Sequence, residues 1–177
     1  GPDDQGIFLD EAAGEALGSR RLSIIDLSEM GKMPMSNESG DIFVCQNGEL
    51  YNYRDLYQQL LQQGHHFKSK SDTEVIVHGY EQWGTGVFSK LQGMFAVAIY
   101  DQRKRKVILG RDRIGIKPLY YFKNGPSYFF SSEAKSFFVL SPNVFPREID
   151  PEKVNLLLGF MFLPDNEATI LKGVKKV

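Results

Sequence analysis

Gly93-Met94-Phe95-Ala96-Val97-Ala98-Ile99-Tyr100-Asp101 and Val107-Ile108-Leu109-Gly110-Arg111-Asp112 flank the charged stretch Gln102-Arg103-Lys104-Arg105-Lys106. Two β-forming runs joined by a short polar turn predict an antiparallel hairpin. A second hairpin is expected at Asn124-Gly125, between Pro118–Phe122 and Tyr128–Ser132. Asn-Gly favours the turns whose twist matches paired strands. Toward the N-terminus, Ile7-Phe8-Leu9, Arg21–Leu27 and Ile42–Gln46 read as strands, the last broken by Asn47-Gly48. Glu11–Gly18 and Ser28–Gly40 read as loops on their small, Gly- and Pro-bearing composition.

Helical signals fall elsewhere. Asn52 is a candidate N-cap for a helix from Tyr53 to about Gln63, with Leu56, Leu60 and Leu61 on one face and Gly64 closing it. Ser71-Asp72-Thr73-Glu74 has the form of a capping box and opens a helix that ends at Gly84. Val87–Leu91 and Ser132–Leu140 are shorter helical candidates, and Asp150-Pro151 starts a last helix through Phe160. Hairpins with segregated helices predict an α+β layered domain rather than a doubly wound sheet. No Gly-rich loop follows a strand, so no nucleotide site is expected.

Bulk properties narrow the function classes. The chain has 177 residues and a net charge of -1, with 42% hydrophobic and 24% charged residues. That balance gives no field favouring nucleic acid or an anionic membrane. No apolar run approaches the roughly 18 residues of a membrane span. The single cysteine, Cys45, excludes an internal disulfide and a cysteine zinc cluster, and a cytoplasmic location is expected. The chain opens on Gly1-Pro2-Asp3-Asp4 without Met and stops in the alternating run Leu171–Val177, which reads as a piece cut from a longer fold.

Asn47-Gly48-Glu49 and Asp72 are the main candidates for chemistry. Taken alone, Asn-Gly makes a tight turn. The functional reading gives the Asn47 amide and the Gly48 N–H as donors to an oxyanion. Asp72 is adequately explained by the dipole of the helix it opens. Together with Glu49 it could instead hold an ammonium group. Arg20-Arg21 either snorkels at a sheet rim or clamps a carboxylate. Arg111-Asp112-Arg113-Ile114-Gly115-Ile116-Lys117-Pro118 reads as an ion-pair-laced corner, or as a contact with a neighbouring domain. His65, His66 and His78 are not spaced as ligands, so no metal is expected. Cys45, set among Phe43 and Val44, reads as an inert buried thiol.

Five segments carry a resemblance: Arg21–Asp26, Asn47–Tyr53, Ser71–Val75, Gly93–Ala96 and Arg111–Tyr121. In this order they resemble the glutaminase half of glutamine-hydrolysing asparagine synthetases, a class II glutamine amidotransferase domain. The resemblance implies the N-terminal-nucleophile hydrolase fold, a four-layer α/β/β/α sandwich of antiparallel sheets, here lacking its N-terminal segment. It implies that 1–145 is the amidotransferase domain and that 146–177 begins the connection to a synthetase domain. By position, Arg21 would hold the α-carboxylate of glutamine, and Glu49 and Asp72 its α-ammonium. Asn47 and Gly48 would form the oxyanion hole, and Leu22 and Ile25 would line the pocket.

The family nucleophile is an N-terminal cysteine ahead of the Gly-Pro-Asp turn, a position Cys45 does not match, so the chain by itself is expected to be inactive. Its expected partners are glutamine and a C-terminal synthetase domain of the same polypeptide, with a homodimer left open and neither nucleic acid nor membrane involved. No cofactor is expected in this domain; ATP and Mg²⁺ would belong to the synthetase domain, which amidates aspartate. A relative acting on a sugar or polysaccharide acceptor would read alike in this half. A non-catalytic glutamine-binding module is the other alternative.

Overall fold

The structure is a computed structural model that describes residues 3–21, 26 and 28–177. It divides into two compact units, Gly1–Ile116 and Lys117–Val177. In the first, β1 (Asp4–Asp10) and β2 (Glu15–Arg21) form a two-stranded antiparallel ribbon. Four further strands make a separate antiparallel sheet in the order β3-β4-β5-β6: β3 (Met35–Ser36), β4 (Ile42–Leu50), β5 (Gly93–Asp101) and β6 (Lys106–Arg111). The charged turn therefore closes the hairpin as the sequence predicts.

Alternation along the strands assigns the two faces of this sheet. Val44, Val97 and Ile99 point to one side, where they pack with Leu56 and Leu60 of α1 (Tyr53–Gln62) and Val75 and Ile76 of α2 (Asp72–Trp83). Phe43 points to the other side and stacks on Phe8 of the ribbon, with ring centroids 3.6 Å apart. Tyr100, beside it, donates its hydroxyl to Asp10 at 2.7 Å. Both faces of β5 are thus covered, which explains its nearly unbroken apolar run. The short helix α3 (Val87–Lys90) leads from α2 toward β5.

In the second unit, β7 (Tyr120–Asn124) lies between β8 (Ser127–Ser131) and β9 (Lys175–Lys176). Its core gathers Phe122, Phe137, Phe145 and Val174. Asp150 caps α4 (Pro151–Phe160) by accepting from the N–H groups of Glu152 and Lys153 at 3.1 and 3.3 Å. The mixed helices and antiparallel sheets match the predicted α+β class.

Several local expectations are corrected. Glu15–Gly18 is strand, not loop, because pairing with β1 overrides its weak local propensity. Asn47-Gly48 does not break β4, which stays paired through Leu50, opposite Gly93. Asn52 stands at the N-cap of α1 as expected but makes no side-chain cap; its side chain instead bridges to the approach to β5, donating to the Lys90 carbonyl at 2.9 Å and accepting from Gln92 N–H at 3.0 Å. The helical segment expected over Ser132–Leu140 is present as a 3₁₀ helix, Ala134–Val139.

Candidate functional site

Gly48 shows why this position in β4 carries no side chain. Its φ is 127°, and a Cβ there would sit 1.9 Å from the Met94 carbonyl oxygen on β5. Only glycine allows that conformation and that approach. Asn47 and Glu49 flank it on the face that also carries Phe43 and Cys45. Asn47 is exposed and Glu49 half-buried, and among the described residues neither side chain is tied up in a hydrogen bond.

Asp72 reaches this strand end from the first turn of α2. One carboxylate oxygen accepts from the Leu50 N–H and from the Gln46 amide, each at 2.9 Å. Burial raises its pKa above the ordinary value, hydrogen bonds from Leu50 and Gln46 oppose this only in part, and the nearby Glu49 charge raises it further. The Glu49 and Asp72 carboxylates thus interact at the C-terminal end of β4. A bound ammonium would relieve the penalty on Asp72.

The loop before α2 is built to hold Asp72 there. Ser71 caps the helix by accepting from Thr73 N–H at 3.2 Å, as the sequence predicts. The other half of the capping box is not made. Glu74 reaches past Ser71 and accepts from the N–H groups of Lys68 and Ser69, both at 2.7 Å. Asp26 ties the same loop to Arg21: its carboxylate accepts from Lys70 N–H at 2.9 Å, and its carbonyl accepts from the Arg21 guanidinium. Arg21 closes β2 and packs against Gly31, where a Cβ would meet the guanidinium at 2.7 Å.

The structure thus brings Asn47, Gly48, Glu49 and Asp72 together and links Arg21 to the Asp72 loop through Asp26. Leu22 and Ile25 lie outside the described residues, as does most of the strand predicted over Arg21–Leu27. Burial pushes the Cys45 thiol up to about 12, which disfavours the reactive thiolate. The Arg111–Pro118 corner is organised by Asp112, whose carboxylate accepts from the Ile116 and Phe95 N–H groups at 2.8 and 3.3 Å.

Three supporting residues escaped the sequence reading. Gln46 holds Asp72 while its own Oε1 is buried without a partner. Asp26 joins Arg21 to the α2 loop, and Met33 sulfur accepts from Gln46 N–H at 3.2 Å. A buried Gln at an inward position of an otherwise apolar strand was the available signal. The fold also brings together side chains that the chain spacing keeps apart. His65, His78 and Glu81 offer ligand atoms within 4.8 Å of one another, because α2 folds back beside the end of α1.

A family model described as a glutamine amidotransferase domain matches residues 1–177. Glutamine-hydrolysing asparagine synthetase 2 of Bacillus subtilis (strain 168) is 49% identical over 138 residues, covering 78% of this chain and 18% of its own length. Glutamine-hydrolysing asparagine synthetase 1 of the same organism is 41% identical over 177 residues, covering all of this chain and 27% of its own length. The chain therefore spans about a quarter or less of these relatives. Among solved structures, glutamine phosphoribosylpyrophosphate amidotransferase from B. subtilis, complexed with ADP and GMP, matches with a TM-score of 0.60 and 29% identity. That match covers 70% of this chain and 29% of the other. No helix among the described residues is long and apolar enough to cross a membrane.

Proposed function

The chain belongs to the glutamine amidotransferase domain family, and from that premise we propose that it is the glutamine-hydrolysing part of an asparagine-synthetase-like enzyme. Its α+β architecture of antiparallel sheets is of the N-terminal-nucleophile hydrolase type. The observation that carries the proposal is the pair Glu49 and Asp72, two carboxylates beside Asn47-Gly48, with Asp72 buried and held above its ordinary pKa despite its hydrogen bonds from Leu50 and Gln46.

In this reading the α-ammonium of glutamine lies between Glu49 and Asp72, and Arg21 takes the α-carboxylate. The resemblance assigns Leu22 and Ile25 to the pocket wall. A thiolate, supplied by the cysteine that the resemblance places ahead of Gly1, attacks the side-chain amide carbon. The C=O electrons move onto oxygen, and the Asn47 amide and Gly48 N–H receive that charge. The proton released in forming the thiolate goes to the leaving nitrogen, and collapse then expels ammonia and leaves a thioester. Water then cleaves the thioester to glutamate and regenerates the thiol. The ammonia serves a synthetase domain of the same polypeptide, where ATP and Mg²⁺ are used to amidate aspartate. The proposed location is the cytoplasm.

Asn47→Ala in the enzyme carrying its synthetase domain tests the assignment. Removing one oxyanion donor costs about a hundred- to a thousandfold in turnover. Asparagine formation from glutamine should fall by that factor, while formation from free ammonia stays within about twofold, since the donor acts only on the glutaminase step. Equal loss with both nitrogen sources would remove Asn47 from the reaction.

A further inference from the structure

We propose that His65, His78 and Glu81 form a binding site for a divalent cation of the zinc class, separate from the residues that would hold glutamine. The Oε2 of Glu81 lies 3.1 Å from His78 Nδ1 and 3.7 Å from His65 Nδ1. Metal–ligand bonds of about 2.0–2.1 Å at tetrahedral angles place donor atoms about 3.3 Å apart, between those two values. Two imidazoles and one carboxylate are a recognised zinc set that leaves a fourth position for water.

The surrounding groups orient each ligand inward. His65 Nε2 is 3.0 Å from Gln82 Oε1, which leaves Nδ1 turned toward Glu81. The other oxygen of Glu81 accepts from the buried Asn37 amide at 2.8 Å, which leaves Oε2 to face the two imidazoles, within hydrogen-bond distance of His78 Nδ1 at 3.1 Å. His78 is 1% exposed, and its Nε2 is buried without a hydrogen bond, 3.6 Å from Glu74 Oε1. A cation on Nδ1 would fix the remaining proton on Nε2, where Glu74 can accept it. Ligating histidines usually show such an outer carboxylate.

The backbone supplies the geometry without strain. His78 and Glu81 lie one turn apart on α2, where side chains share a face. His65 follows a closing motif at the end of α1: Gly64 N–H donates to Leu61 at 3.1 Å and His65 N–H to Leu60 at 3.0 Å, with Gly64 at φ 90°. A bound cation would clip the end of α1 to the middle of α2. Glu74, the outer partner of His78, also holds the loop that presents Asp72.

The test uses the full chain, stripped with a chelator and titrated with Zn²⁺ by calorimetry, with bound metal counted by plasma mass spectrometry. The expected result is one equivalent bound, and a visible absorption spectrum of four- or five-coordinate type when Co²⁺ is substituted. Zn²⁺ at about a hundred times its Kd should raise the melting temperature by about 5–10 °C. His65→Ala and Glu81→Gln, both at partly exposed positions, should each weaken binding by more than about a hundredfold. His66→Ala, at the exposed neighbour, should leave binding intact. The proposal is overturned by a chain that takes up no equivalent, by binding retained in His65→Ala and Glu81→Gln, or by loss in His66→Ala. The first result leaves these side chains as ion pairs alone; the other two mean adventitious binding elsewhere on the surface.

Discussion

Gly48→Ala probes the contact on which the site is built. The new Cβ would lie 1.9 Å from the Met94 carbonyl oxygen, 2.8 Å from its carbon and 2.9 Å from the Phe95 Cα. Ordinary contact begins near 3.4 Å, so the first of these falls short by about 1.5 Å, and every atom met is backbone. Paired strands sit about 4.7–4.9 Å apart, and opening them by that distance would break the ladder. The residue would also hold φ near 127°, a conformation that costs a non-glycine residue about 1–3 kcal/mol. Overpacking adds about 1–3 kcal/mol more, for a total of roughly 2–6 kcal/mol. At about 2–4 °C per kcal/mol for a chain of this size, the melting temperature should fall by at least about 4 °C. Gly18→Ala is the control, since a Cβ there meets nothing within 4 Å. It should change stability by no more than about 1 kcal/mol. Thermal unfolding followed by far-ultraviolet circular dichroism reads both variants. A Gly48→Ala melting temperature within about 2 °C of the wild type would refute the claim that β4 and β5 require glycine at this crossing.

Asp72→Asn should separate stability from binding. Burial, aided by Glu49, holds the Asp72 pKa above its ordinary value of 3.8, so the folded chain binds this proton more tightly than the unfolded chain. Its contribution to stability is complete below the unfolded pKa and is lost as pH rises through the folded one. The Asn variant should therefore be at least as stable as wild type at pH 7, with its advantage shrinking toward pH 4. Urea unfolding at both pH values checks the sign, and a variant clearly less stable at pH 7 contradicts it. The same variant should weaken glutamine binding by about 10- to 150-fold, the worth of one hydrogen bond to a charged group. Leu60→Ala, at a fully buried side chain between α1 and the sheet, should cost about 2–5 kcal/mol in urea unfolding. A loss below 1 kcal/mol would mean that this core relaxes around the cavity.

The elements legible in the sequence were those whose signals are local. The β5–β6 hairpin, the Ser71 cap and the Asp150-Pro151 start each rest on residues within a few positions of one another. What escaped depends on partners distant along the chain. Glu15–Gly18 becomes strand only against β1, and β4 continues past Asn47-Gly48 only because Phe95 and Gly93 receive it. Glu74 fits the capping-box pattern, yet the Lys68 and Ser69 N–H groups reach it first. The site divides the same way. Asn47, Gly48 and Glu49 are contiguous and stood out at once, whereas Gln46 and Asp26 earn their roles only through Asp72 and Arg21. The His65–His78–Glu81 cluster was invisible because it spans two helices, and chain spacing is a poor guide to distance across a helix–helix junction.

In the proposed reaction the end of β4 and the start of α2 form the seat for the α-ammonium of glutamine. Its most direct measurement is a calorimetric titration of the wild-type chain and of Glu49→Gln with L-glutamine. The account predicts saturable binding at one site in the wild type. In the variant, which keeps the shape and removes one charge, Kd should rise at least about tenfold. No saturable binding to the wild type, or an unchanged Kd in Glu49→Gln, would contradict it.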